Sequence, residues 1–150
     1  MRSLSGSNTE SMTPAAATFD IVQIHHLLAE NGYEVTDSGE NALTIKEMDS
    51  GIMIHAVLQG SIMFFSLNCL SLKESEITPA IMKTMLAGDN GISTSHFQLY
   101  PSGEGEVAIT LNNFCTLQDM QAGDEDDILS CVHYLLVDVL HAQEILGNLK

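Results

Sequence analysis

Apolar residues recur along this chain with two periods, and the switch between them marks out its elements. Ile21, Ile24 and Leu28 fall at helical spacing and should face a core. Thr13-Pro14 is a helix-start signal, a hydroxyl N-cap followed by proline at the first helical position; Thr18 offers a later cap. The first helix is predicted to run from there to about Asn31, with Gly32 as its stop. Beyond Gly32 the period drops to two. Tyr33–Val35, Leu43–Glu47 and Ile52–Gln59 read as strands, divided by turn signals at Asp37-Ser38-Gly39 and Asp49-Ser50-Gly51. Gly60-Ser61 is a two-residue hairpin turn with glycine first, the type II′ pattern.

That turn implies a register. If Gln59 pairs with Ile62, one face pairs Leu58 with Met63, Ala56 with Phe65, Ile54 with Leu67 and Ile52 with Cys69. All of these are apolar, and a slip of one residue would mix the face with polar side chains. The opposite face pairs Gln59 with Ile62, Val57 with Phe64, His55 with Ser66 and Met53 with Asn68. It is mixed, and it carries more apolar surface than the outside of a sheet usually shows. Met53, Val57, Ile62 and Phe64 are therefore the candidate partner-binding residues, with Phe64 as the central anchor.

Thr78-Pro79 repeats the helix-start device and opens a short helix, Pro79 to Ala87, ending at Gly88. Phe97 and Leu99 alternate with polar neighbours, Pro101 to Gly105 turns the chain, and Val107, Ile109 and Leu111 alternate again. This is a second hairpin. Asn112 to Gly123 reads as loop. A long helix is expected from Asp124-Glu125-Asp126-Asp127, whose carboxylates suit a helix N-terminus. Its core stripe is Ile128, Val132, Leu135, Leu136 and Val139; Leu129, Val137, Leu140, Ile145 and Leu146 widen it enough to touch two surfaces. The prediction is an α+β fold: a four-strand meander and a second hairpin, packed with an N-terminal, a short middle and a long C-terminal helix. Residues 1–13, rich in Ser, Thr and Asn, read as a flexible leader, and residues 14–150 as a single domain.

Composition narrows the function. Twenty acidic and five basic side chains leave a formal net charge of −15 on 150 residues. Arg2, Lys46, Lys73, Lys83 and Lys150 are scattered and cannot form the cationic footprint that nucleic acid or an anionic membrane requires. The start of the chain lacks the apolar core of a secretory signal, and a cytoplasmic location is expected. Cys69, Cys115 and Cys131 are odd in number and form no Cys-x-x-Cys pair, so they are read as free thiols in a reducing compartment.

Catalytic patterns are missing. There is no Gly-x-Gly-x-x-Gly, phosphate loop, His-Glu-x-x-His or Gly-x-Ser-x-Gly. His133 and His141 lie too far apart on one helix to share a metal. Asp138 with His141, or His26 with Glu30, are helix neighbours that could recruit a surface ion, though a solvated helix face explains them as well. Cys115, placed in the loop, is the thiol best situated to react, while Cys131 and His133 point to different faces of their helix. No cofactor is implied.

The order of elements resembles the type III secretion chaperone-like fold of small bacterial YbjN-like and YjfI-like proteins. The YjfI-like resemblance rests on Ile62 to Leu72 as a strand leading into Glu74-Ser75-Glu76, and on Ile77 to Leu86 as the short helix. It continues with Ile92-Ser93-Thr94-Ser95-His96-Phe97 entering the second hairpin and with the acidic start of the closing helix, and it spans roughly residues 19–147. The resemblance implies an acidic homodimer that holds a partner's extended segment on apolar surface, with no catalytic residues. The expected function is a non-enzymatic cytoplasmic interaction module, chaperone-like or regulatory, binding a protein client or partner. The alternative is a small-ligand or metal-binding module that uses surface carboxylates and histidines.

Overall fold

The computed structural model describes residues 20–148, so the predicted leader and the cap signals at Thr13-Pro14 and Thr18 lie outside the described residues. The first helix, α1 (Ile21–Glu30), is capped by Asp20, whose carboxylate accepts the Val22 N–H at 2.9 Å. Gly32 ends it with φ +96°, a left-handed value that favours glycine. Four strands follow: β1 (Tyr33–Gly39), β2 (Ala42–Glu47), β3 (Met53–Gln59) and β4 (Ile62–Lys73). After a short 3₁₀ turn come α2 (Pro79–Leu86), the hairpin β5 (His96–Gly103) and β6 (Glu106–Thr116), and α3 (Ala122–Asn148).

The strands form one antiparallel sheet in the order β1-β2-β3-β4-β6-β5. The chain leaves β4, crosses through α2, runs up the edge as β5 and returns as β6 beside β4. The two hairpins anticipated separately are thus zipped together by the longest ladder in the molecule, Ile62↔Thr116 to Lys73↔Glu106.

The Gly60-Ser61 register holds, with Gln59↔Ile62, Leu58↔Met63, Val57↔Phe64, Ala56↔Phe65 and His55↔Ser66. Ile54 and Leu67 stay buried beyond that ladder, whereas Ile52 and Cys69 lie off it and are half-buried. Ile52 precedes the first residue of β3, and Cys69 falls at a register shift against β6 between Asn68 and Leu70. The extra residue reverses which positions face inward, so Met63, Phe65 and Leu67 give way to Leu72 on the core side.

Three expectations need correction. Asp37-Ser38-Gly39 is strand, and the turn falls at Glu40-Asn41, where Asn41 has φ 56°; asparagine tolerates that conformation by bonding its own backbone. Pro101 to Gly103 is also strand, the turn being only Glu104-Gly105. Proline is accommodated because β5 is an edge strand. Asn112 to Thr116, expected as loop, completes β6. Two asparagines carry little strand preference, but β6 lies between β4 and β5, and pairing on both sides overrides it.

All three helices pack on one face. Ile24 and Leu28 of α1 meet Leu43, Ile45 and Ile54 of the sheet, and Ile128, Val132, Leu135 and Val139 of α3 complete this cluster. A second cluster joins Leu72 and Ile109 to Ile81 and Met85 of α2 and Leu146 of α3. The breadth of the α3 stripe is thereby explained in part, because one helix serves both clusters. By length and composition α3 could cross a membrane, but its apolar stripe is the lid of this core.

Two buried carboxylates tie loops to α3. Asp138 accepts from Ser93 N–H (3.0 Å) and Ser93 Oγ–H (2.9 Å), with longer bonds from Thr94 and Ser95 N–H, pinning the segment that enters β5. Asp124 accepts from the N–H groups of Gln118, Asp119 and Met120 at 2.7–2.8 Å. It therefore clasps the incoming loop rather than capping its own helix.

Candidate functional site

The other face of the sheet has no helix over it among the described residues. Because strand side chains alternate, every second residue of each strand stands on this face, and the ladders align them into rows. One row reads Ala42, Val57, Phe64, Phe114 across β2, β3, β4 and β6. Beside it runs a polar row, Thr44, His55, Ser66, Asn112, His96, which reaches β5. Gln59, Ile62 and Thr116 flank the apolar row on its other side, and Asn68, Thr110 and Gln98 flank the polar one. Sheet twist makes the middle concave, a depression of about 530 Å³ between the β3–β4 hairpin and β5.

The four residues picked out by pattern all stand here. Phe64 is 39% exposed, Val57 37% and Met53 48%, and Ile62 is half-buried at the hairpin end. Sequence reasoning missed Phe114, the most exposed member of the row at 56%. Its ring lies 6.2 Å from that of Phe64, an aromatic pair in contact range. Phe114 does alternate with the buried Asn113 and Cys115, but the surrounding asparagines hid that strand signal.

Electrostatically this face departs from the rest of the molecule. The chain has twenty acidic residues, yet the rows above contain no Asp or Glu. Acids appear only at its corners, as Glu34 opposite Lys46 and Glu106 opposite Lys73. Polar groups within the face bond to one another: Asn112 Nδ2 donates to Thr110 Oγ1 at 2.7 Å, and the Tyr100 hydroxyl donates to Gln98 Oε1.

Other candidate chemistry is rearranged. Asp138 cannot pair with His141 over a surface ion, because it is fully buried and occupied by the loop's donors. Burial pushes its carboxyl up, but the bonds from Ser93 and Ser95 outweigh that and hold it below the usual carboxylate range. Among the described residues no three His, Cys, Asp or Glu side chains gather as a metal site. His25 contacts Asp37 at 3.0 Å and links α1 to β1. Cys115 lies in a strand and is buried, not in a loop. Burial also pushes the Cys69 thiol up to about 11, with a backbone bond at Leu111 working against it.

A six-stranded antiparallel sheet with helices on one face and, among the described residues, a bare opposite face whose middle carries no acid defines an α+β protein with that sheet as its conspicuous surface. The same fold occurs in the solved structure of YbjN from E. coli, a proposed transcription regulator, with a TM-score of 0.60 over 86% of this chain and 93% of that one, at 12% identity. No family model matches the chain, and no curated protein matches it.

Proposed function

We propose that this chain is a non-enzymatic interaction module, regulatory or chaperone-like, that works as a homodimer joined through its open sheet face. The observation that carries the reading is a partly aromatic sheet face whose central rows hold no acid and whose two corner glutamates each stand opposite a lysine, on a chain of net charge −15. Interface cores are depleted of charge and enriched in aromatics. Two strongly acidic copies approach at least cost where each is neutral, and the Phe64–Phe114 pair supplies the anchor. The resemblance to YjfI-like and type III secretion chaperone-like proteins points the same way, since dimers that hold protein segments belong to that fold.

YbjN is itself a proposed transcription regulator. With one arginine and four lysines, a regulatory role for the present chain would act through protein contacts rather than on DNA. A cytoplasmic site of action agrees with its three unpaired cysteines.

The test is solution mass by light scattering at micromolar concentration, for the native chain and for Phe64→Asp. A dimer is expected for the first and a folded monomer, by circular dichroism, for the second. Phe64 is already partly in water, so a carboxylate there leaves the core intact. Salt identifies the occupant of the face. A dimer of two acidic copies tightens as salt rises, whereas a complex with a cationic client loosens. A native chain that is monomeric at every salt concentration refutes the homodimer.

A further inference from the structure

Away from the open face, β6 and α3 bring Cys115 and Cys131 together. Both line one cleft of about 480 Å³, whose walls include Asn113, Asp127, Ser130 and Tyr134. Cys115 projects from the helix side of β6 and belongs to the main core, with Cys131 packed against that core from α3. Asn113, two residues before Cys115 in the strand, donates Nδ2–H to the carbonyl of Cys131 at 3.0 Å and pins the helix at this level. Its own Oδ1 is a buried acceptor with no partner. The remaining thiol, Cys69, is half-buried at the β4 bulge and does not line the cleft.

The geometry points to Cys115 and Cys131 as an oxidation site, a vicinal thiol pair that hydrogen peroxide closes into a reversible disulfide between β6 and α3. The roles of the two thiols differ. Cys131 is the more exposed. A hydrogen bond from the Cys115 thiol lowers its pKa, against burial and the nearby Asp127. The same bond, with burial, pushes Cys115 up. Cys131, the thiol that oxidant can reach from the cleft, is the attacking thiolate and the buried Cys115 the resolving thiol. The Cys131 sulfur attacks one peroxide oxygen, the O–O bond breaks, and hydroxide leaves as Cys131 becomes a sulfenic acid. The Cys115 sulfur then attacks the Cys131 sulfur, the S–O bond breaks, and water leaves carrying the Cys115 proton. Two thiols and one peroxide give one disulfide and two waters. A neutral oxidant fits the setting, because Asp127 and the −15 charge repel anionic disulfides.

Treatment of the full chain with hydrogen peroxide, followed by alkylation after unfolding and by intact and peptide mass spectrometry, tests this. The expected product has lost two hydrogens, contains a Cys115–Cys131 linked peptide pair, retains an alkylatable Cys69, and reverts with dithiothreitol. Cys131 should react faster than Cys69 in the folded chain, because burial pushes the Cys69 thiol up and leaves less of it as thiolate. Cys69→Ser should behave as the native chain does. Cys115→Ser should stop with added oxygen on Cys131 and no cross-link. Oxygen gain at Cys131 of the native chain without a cross-link, a cross-link through Cys69, or equal rates at Cys69 and Cys131 would each overturn the assignment. These readouts are independent of the oligomeric state.

Discussion

Asp124 and Asp138 each act as a receptor for loop amides that strand pairing cannot use. A carboxylate accepting several N–H bonds compensates for its own burial, and both carboxyls are held below their ordinary range: burial raises them, and the bonded amides outweigh it. A depressed folded pKa adds stability that is fully present above the unfolded value and is lost as pH falls through the folded one. Thermal melts of the native chain should therefore fall off below about pH 4, the ordinary aspartate range. Asp138→Asn puts an NH₂ group against donors that need an acceptor, at a cost of about 1–3 kcal/mol at neutral pH. It should also flatten the acid limb of the melting curve. Equal melting temperatures for the two proteins at neutral pH would show that the Ser93–Ser95 loop does not depend on this carboxylate.

Among the elements, α3 binds the molecule along its length. Its middle fills the main cluster, and Leu146 near its end fills the second, against Leu72, Ile81, Met85 and Ile109. Leu140, between them in sequence, points outward and is 61% exposed. Leu146→Ala should cost about 2–5 kcal/mol in urea unfolding, the usual range for a buried leucine. Leu140→Ala should stay within about 0.5 kcal/mol, as exposed positions do. A small effect at Leu146 would mean that the second cluster is held without α3. Strand β6 has a comparable role in the sheet, since it joins the meander to the edge strand and sets Phe114 beside Phe64.

At the scale of the whole molecule, the excess of negative charge governs how the chain responds to its solvent. Fifteen uncompensated negative charges repel one another more strongly in a compact chain than in an unfolded one. Added salt screens them over about 8–10 Å. Melting temperature should rise from low to physiological salt near neutral pH, with scanning calorimetry as the check. A flat or falling curve would show that local ion pairs outweigh the general repulsion. The sheet face, with no acid in its central rows, is where that repulsion is weakest, so stability and self-association should both strengthen with salt.

Local patterning was sufficient for the elements whose signals are short-range. The Gly60-Ser61 turn determined the register of Val57 and Phe64, Thr78-Pro79 determined the start of α2, and the stripe from Ile128 to Val139 determined which side of α3 is buried. Each depends on neighbours within a few residues, and so Met53, Val57, Ile62 and Phe64 could be placed on one face in advance. The sequence did not reveal what happens when distant segments meet. Asn112–Thr116 is strand because β4 and β5 lie on either side of it, Asp138 is a loop clasp because Ser93 folds onto it, and Cys115 meets Cys131 because β6 carries α3 across its face. These outcomes follow from pairing and packing energies that exist only once the chain has closed on itself, and no local preference encodes them.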